Sequence, residues 1–372
     1  MSSIGFIIDS LNGGGADRSV LNLTKEIVIL GHDVHIFILK DEIDYRLDKS
    51  LFKLHIISQD GKVHPIKYLN KRKLARLLLK KIDEQNTKFS LFVSNLELSY
   101  EVTKIAKLPN LYHCLHGVIS EFIKSKYKNT SGIKRYRRKF KYYIKTKIQY
   151  DRSHLITVSR GASDDLVKFG IKPKSCRTIY NPFDFDFVKQ RSNEEVLDDD
   201  EFVICVARFA KDKRHDLLIK AYAASKIKEK LILMGTTDKP SDEKNLLDLK
   251  NMIRKLKIEH KIVFKGFVEN PYPWIKKAKA LILSSNHEGL SNVLVESLIL
   301  KTQVVSTNCP TGPAEILEDE LSQFLSPVED VKKLSSNIKK AIDSPIEITS
   351  KHIEKFNAPE IASQYVKLSI NK

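Results

Sequence analysis

No stretch of this 372-residue sequence approaches the ~18 uninterrupted apolar residues that a membrane-spanning helix requires. A chain that crosses the bilayer on helices is therefore not expected. The opening residues MSSIGFIID run straight into a strand pattern, without a basic start or an apolar core followed by small residues. No secretory signal is read there, and a cytoplasmic location follows by default. Cysteine is also sparse: Cys114, Cys176, Cys205 and Cys309 are far apart and form no C-x-x-C pair, which leaves neither a disulfide framework nor a zinc site to build. Repeats and low-complexity tracts are missing, so a solenoid is set aside. Acidic residues are lacking in one half only. Residues 1–182 hold 34 Lys and Arg against 17 Asp and Glu, whereas residues 183–372 hold 30 against 29. Nearly all of the net charge of +18 thus lies in the first half, which suggests an anionic partner there, a nucleic acid, a phosphorylated substrate or an acidic lipid surface; the solvation of a Lys-rich protein accounts for part of it.

What is present is the composition of a globular protein, 42% hydrophobic and 30% charged, and enough chain for two domains with a core each. Runs rich in Ile, Val and Phe alternate with helical patterns. Strands are read at 4–9, 33–39, 91–94 and 155–159, with a helix near 17–30; the rhythm restarts with strands at 202–208, 230–235, 261–266, 280–285 and 303–307, separated by helices at 212–225, 242–256 and 292–301. This alternation predicts parallel sheets. The expected fold class is α/β, two tandem Rossmann-like domains with a cleft between them where ligands bind. The expected boundaries are 1–182 for the first domain, 183–200 for an acidic link without helical periodicity, and 201–356 for the second domain. Residues 357–372 form a C-terminal helix returning to the first domain, with Ile361, Tyr365 and Leu368 at helical spacing.

Several clusters could carry chemistry. LNGGGADRS, at 11–19, sets three glycines between the first strand and the first helix, where backbone passes close to a ligand or turns sharply. It matches neither G-x-G-x-x-G nor G-x-x-x-x-G-K-[ST]. Gly14, Gly15, Asp17 and Arg18 therefore suit an anion or sugar cradle, and a tight turn accounts for them equally. In NHEGLSNVLVES, at 286–297, Glu288 lies in a loop and Glu296 inside the helix that follows, with Ser291 or Asn292 as N-cap. The N–H groups of Gly289, Leu290, Ser291, Asn292 and Val293 at such a helix start suit a diphosphate, and an acid such as Glu296 suits ribose hydroxyls. The plainer reading is two surface glutamates. Arg208 and Lys213 place two cations at a strand's carboxyl edge. His116, in HCLHG, occupies a loop of the first domain, where a lone histidine is more often structural.

The basic excess has a focus. Residues 124–152 hold twelve Lys or Arg and one acid, Asp151. Ile133, Tyr136, Phe140, Ile144 and Ile148 form an apolar stripe at helical spacing, interleaved with Lys134, Arg135, Arg137, Arg138, Lys139 and Lys141. Two readings carry equal weight: a core helix with a solvated face, or a helix that holds an anionic membrane surface or lipid phosphates.

Together, G-G-x-D-R at the first turn, V-x-R-x-x-x-x-K at 206–213, and E-G-L-x-N-V-x-x-E at 288–296 followed by STNCPTGPAEIL at 306–317 resemble the family 4 retaining glycosyltransferases of the two-Rossmann GT-B fold. The likeness spans both domains in the right order. It implies that Arg208, Lys213 and the N–H groups from Gly289 to Val293 bind the donor's diphosphate and that Glu296 holds the ribose. Gly235 with Gly266, Phe267 and Val268 would receive the nucleoside. Glu288 would contact donor-sugar hydroxyls near the reacting carbon, His116 would bind that sugar from the opposite domain, and Gly14 and Gly15, with Asp17 and Arg18 alongside, would line the cleft near the acceptor.

Cations of the chain and a helix terminus can stabilise a departing diphosphate without a metal, so no metal and no cofactor are expected. Asp184-Phe-Asp186 imitates a D-x-D metal motif but falls in the link. No second carboxylate is evident beside Glu288 for a covalent intermediate, and attack on the same face of the sugar is consistent with the family. The CPTGPAEIL stretch is similar to members that build cell-surface glycans from UDP-linked hexoses or N-acetylhexosamines on polyprenyl diphosphate carriers. The expected function is a retaining transferase of that kind, cytoplasmic and peripheral on the inner face of the membrane. Two alternatives stand beside it: a sugar-nucleotide epimerase of the same fold, against which the basic helix argues, and a nucleic-acid-binding protein, which would leave Glu288, Glu296 and the glycine loop without a role.

Overall fold

The computed structural model describes every residue except Met1, Gly13, Tyr45, Arg46, Lys49, Lys128, Asn129, Leu197, Asp198, Asp199, Asn371 and Lys372. The chain divides into two compact units, residues 1–183 with 356–372, and residues 184–355.

The first unit is built on seven parallel strands: β1 (Ser3–Ile8), β2 (Asp33–Ile38), β3 (Lys53–Ile56), β4 (Phe89–Asn95), β5 (Leu111–Leu115), β6 (His154–Thr157) and β7 (Ser175–Thr178). Their order across the sheet is β3-β2-β1-β4-β5-β6-β7. The central strands are runs of Ile, Phe and Val because helices cover both faces and leave no side wet. One layer of the core joins Ile7, Phe37 and Phe92 to Leu74, Leu78 and Val102; another joins Leu115 and Leu155 to Tyr100, Ile123 and Leu166. As expected, the C-terminal helix, Ala358–Ile370, packs back on this unit. Tyr365 lies with its ring centroid 6.5 Å from that of Phe6 and its hydroxyl 3.6 Å from Cys114 Sγ.

The second unit carries six parallel strands: β8 (Phe202–Val206), β9 (Lys230–Met234), β10 (Ile262–Gly266), β11 (Ala280–Leu283), β12 (Gln303–Thr307) and β13 (Leu325–Ser326). They run in the order β10-β9-β8-β11-β12-β13. In both sheets the chain reverses its direction of travel beside the first strand, between β1 and β4 and between β8 and β11. In open parallel sheets, ligands bind at the carboxyl ends of the strands flanking such a reversal.

Three expectations are corrected. Strands β3, β5, β7 and β13 were not legible: β3 (KLHI) and β7 (SCRT) lie at sheet edges and are only partly buried, so neither needs a continuous apolar run. The acidic link is not free of helix, because Phe185–Arg191 forms one within the second unit, and the Asp184 carboxylate caps it by accepting from Phe187 N–H at 3.0 Å. At about two turns the helix is too short to show a period. Third, the apolar stripe of the basic helix is not core. The helix runs from Gly132 to Tyr150 and buries only Thr146, Gln149 and Tyr150. Residues 131–141 are exposed on every side, with Ile133 at 80% and Ile148 at 70% exposure. Its last turn is held by Lys104, whose ammonium donates to the carbonyls of Ile148 and Gln149 at 2.5 and 2.6 Å.

Candidate active site

In the first unit, the residues singled out from the sequence follow β1 and β5. The glycine loop comes after β1 and leads into the helix Gly15–Ile29; Gly14 and Gly15 are exposed, and Gly13 lies outside the described residues. Asp17 has a structural task. It is buried, and its carboxylate accepts from Gly14 N–H at 3.0 Å, fixing the start of the helix. Arg18, partly buried, donates its N–H to the Gly14 carbonyl in the first turn.

His116 follows β5, with Nε2 2.9 Å from Oδ1 of Asn95, the last residue of β4. The amide oxygen can only accept, so Nε2 carries the proton. Burial pushes the imidazole down to about 4, which keeps the ring neutral near pH 7. Asn95 and Asp9 are site-edge residues that sequence reasoning missed. Asp9 accepts from Leu98 N–H, Ser99 N–H and the Ser99 hydroxyl at 3.1, 2.7 and 2.6 Å. It thereby anchors the helix after β4 to the end of β1, and burial raises its carboxyl above the usual range. An acid ending the first strand was the available signal.

In the second unit, two loops meet at the reversal. The loop after β8 contains Arg208 and the turn Lys211–Lys213; the loop after β11 contains Glu288. They are stapled by Asn286 N–H donating to the Asp212 carbonyl at 2.8 Å and by the Ser284 hydroxyl donating to the Lys213 carbonyl at 2.8 Å. This brings Lys213 Nζ to 2.7 Å from Glu288 Oε1, in a pair largely shielded from water. Arg208 reaches outward, 3.4 Å from Asp238 and half-exposed.

The loop after β12 supports Glu288 from beneath. The Thr311 hydroxyl donates to the Glu288 carbonyl, and Thr307 Oγ1 donates to the Ser285 carbonyl at 2.6 Å. Gly312, at φ +91°, passes so close to Leu290 that a Cβ there would lie 2.9 Å from its carbonyl oxygen. Thr311 and Gly312, within the 306–317 motif, prop a loop that only the fold brings near.

Beyond Glu288, the helix Asn292–Ile299 begins. Ser291 occupies the N-cap position, yet in a left-handed conformation (φ 68°, ψ 65°) with no side-chain cap. Its buried hydroxyl and that of Ser285 have no hydrogen-bond partner among the described residues. An uncapped helix start, orphaned hydroxyls and Lys213 are the features of a site that awaits an anion's oxygens. Glu296 sits one turn in and is buried, with the Tyr272 hydroxyl donating to Oε1 at 3.3 Å; Tyr272 is a further residue the sequence did not reveal. Gly235 follows β9, and its N–H donates to the Gly266 carbonyl at 2.9 Å. Beside it Phe267 is 73% exposed, an apolar ring free to cover a base, and Val268 is half-buried. Asp184 of the D-x-D string is spent as a helix cap. Among the described residues, no three His, Cys, Asp or Glu are grouped to hold a metal ion.

Residues 13–187 match the family model described as Glycosyltransferase Family 4, and residues 186–358 match that for glycosyl transferases group 1. The two matches abut and together span nearly the whole chain. The chain belongs to the family 4 glycosyltransferases.

This glycosyltransferase is 29% identical, over 352 residues, to the N-acetylgalactosamine-N,N'-diacetylbacillosaminyl-diphospho-undecaprenol 4-alpha-N-acetylgalactosaminyltransferase of Campylobacter jejuni, covering 92% of this chain and 91% of that one. A second Campylobacter jejuni protein is 26% identical over 91% of this chain and 88% of its own length. It is the GalNAc-alpha-(1->4)-GalNAc-alpha-(1->3)-diNAcBac-PP-undecaprenol alpha-1,4-N-acetyl-D-galactosaminyltransferase. Among solved structures, a glycosyltransferase from Rickettsia africae superposes with a TM-score of 0.76 at 17% identity, over 99% of this chain and 98% of that one. Anabaena HepE in complex with UDP and glucose gives 0.72 at 20% identity, over 100% and 98%. These likenesses establish the expected two-Rossmann GT-B fold.

Proposed function

We propose that this glycosyltransferase moves a hexose or N-acetylhexosamine from a UDP-sugar to a polyprenyl-diphosphate-linked glycan at the inner face of a membrane. It does so with retention of configuration and without a metal. The observation that carries the reading is the meeting of Lys213, Glu288 and the uncapped start of the helix at 292–299, at the reversal of the second sheet. Transfer requires that negative charge developing on the leaving diphosphate be stabilised, and preformed cationic groups supply this without reorganisation. Glu296, one turn along the same helix, accepts hydroxyl donors and suits the ribose; the exposed Phe267 suits the uracil. Support for a UDP donor comes from the UDP bound to HepE. The acceptor class is supported by the undecaprenol-linked acceptors in the names of both Campylobacter relatives.

Calorimetry on the full chain tests the donor. UDP should bind more tightly than GDP or ADP, and Glu296→Ala should weaken UDP at least about tenfold, the equivalent of 1.4 kcal/mol. A preference for GDP would overturn the uridine assignment.

The exposed basic helix supports the membrane part. Lys134, Arg135, Arg137, Arg138, Lys139 and Lys141 have no carboxylate partner among the described residues, and the apolar stripe between them is uncovered. A cationic, apolar-striped helix lies stably at an anionic headgroup boundary, where each basic residue contributes about 1 kcal/mol. Replacing Lys134, Arg135, Arg137, Arg138 and Lys139 together by Gln should lower affinity for phosphatidylglycerol vesicles by an order of magnitude or more. Binding equal to wild type at low salt would remove the helix from the membrane.

A further inference from the structure

The helix at 132–150 ends against Lys104. The last member of its apolar stripe, Ile148, is the residue whose carbonyl accepts from Lys104. Lys104 also lines a cavity of about 520 Å³ at the amino ends of β5 and β6, the opposite edge of the sheet from His116. We propose that this cavity is a second binding site, taking the phosphate headgroup of an anionic lipid whose acyl chains follow the stripe toward the membrane.

The lining is one-sided in charge. Lys104, Lys107, Arg152 and Lys174 contribute to it, and no carboxylate does. The Lys104 ammonium is engaged with the two helix-end carbonyls. Lys107, Arg152 and Lys174 have no carboxylate partner among the described residues and are exposed at the rim. The field of these cations is felt by the histidines of the cavity. Burial pushes His113 down to about 4, with Lys104 adding to the effect, and His154 is lowered by burial and then by Lys174. Both rings are therefore neutral near pH 7 and add no positive charge of their own, but each can still donate one hydrogen bond.

Like charges gathered round a concavity repel one another, and a multivalent anion is what relieves the repulsion. The backbone is committed to this arrangement: Lys107, Asn110 and Arg152 all adopt left-handed conformations, at φ 52°, 44° and 57°, which non-glycine residues take up at a cost. Lys107 and Asn110 turn the connection into β5, and Arg152 turns the one into β6, both beside the one opening. The floor is closed by Tyr112 and His154, with ring centroids 4.9 Å apart.

An inorganic anion would use the cations alone. Lys104 ties the cavity to the end of the helix whose exposed Ile148, Ile144 and Phe140 offer an apolar tail a place to lie, and this apolar face on the neighbouring helix favours a lipid over a free phosphate. The inference shares with the proposed function the reading that the helix lies on a membrane. It does not depend on the identity of the sugar donor.

The test uses dihexanoyl phosphatidic acid below its micelle concentration, titrated into the full chain, so that no membrane is needed. The triple variant Lys107→Gln, Arg152→Gln, Lys174→Gln alters only exposed side chains and should fold normally. It should bind the lipid at least tenfold more weakly than wild type, while keeping its affinity for UDP. Equal binding of the lipid by wild type and triple variant would overturn the site. Inorganic phosphate should bind at least tenfold more weakly than the lipid; equal affinity would show a free-anion site and overturn the lipid assignment. The five-residue helix variant separates the two readings. It should lose vesicle binding but keep dihexanoyl phosphatidic acid within about twofold, so that failure of the helix and failure of the cavity are read independently.

Discussion

Glu288→Ala should lower glycosyl transfer by about two to three orders of magnitude, the range seen when one preorganised electrostatic contact to a transition state is removed. The carboxylate stands 2.7 Å from Lys213 Nζ, and side-chain exposures of 17% for the lysine and 10% for the glutamate leave little water to replace either partner. In the proposed function, removing it would strip the reacting sugar of an acceptor for its hydroxyls; it also frees Lys213 from its only close carboxylate among the described residues. Glu288→Gln keeps shape and one accepting oxygen while deleting the charge, so it separates the two contributions. It should retain most of the thermal stability but little of the activity. Initial rates with a UDP-sugar and a lipid-linked acceptor decide the matter: turnover of Glu288→Ala within threefold of wild type would remove Glu288 from the reacting centre. A fall in activity matched by a collapse of the thermal transition in both variants would make its role one of folding.

Gly235→Ala should be the most damaging small substitution in the second unit. A Cβ at this position would overlap the Ala207 carbonyl oxygen and sit 2.7 Å from its carbonyl carbon, and both belong to backbone at the mouth of β8 and β9 that cannot swing aside as a side chain could. Overpacking of this kind costs about 3 kcal/mol or more. In a unit of this size that corresponds to a fall in Tm of roughly 6–12 °C. The displaced strands carry Arg208 and the turn at Lys213, so UDP affinity should fall as well. A variant that melts with wild type would mean that the approach of these strands is looser than the geometry shows. At Gly235 no side chain fits between the strands.

The two predictions rest on different kinds of legibility. Glu288 and Glu296 could be read from the sequence because the chemistry is local: a loop, a helix start and an acid one turn along lie within nine residues and need no partner to be recognised as an anion and hydroxyl site. Lys213 was also legible by spacing, but not the fact that it pairs with Glu288 across 75 positions, since that depends on two loops stapled through Asn286 and Ser284. Asn95 and Tyr272 were invisible for the same reason. Each acts on a known candidate from a different strand or helix, and a single amide or phenol carries no pattern in one dimension. Asp17 shows a task that one dimension does not display: its carboxylate fastens the start of the helix through Gly14 N–H.

By itself the sequence determined the α/β class, the parallel sheets and the return of the C-terminal helix, because buried parallel strands must be nearly continuous in Ile, Val and Phe and their crossovers must be amphipathic. Edge strands obey a weaker rule, which is why β3 and β7 escaped. The sequence also determined that the helix at 132–150 would carry an apolar stripe among cations. It could not say which side of the stripe faced protein. Periodicity measures only that two faces differ, and burial is a property of what else arrives to cover one of them. Only the tertiary structure, by leaving residues 131–141 uncovered, decided that this face belongs to the surface.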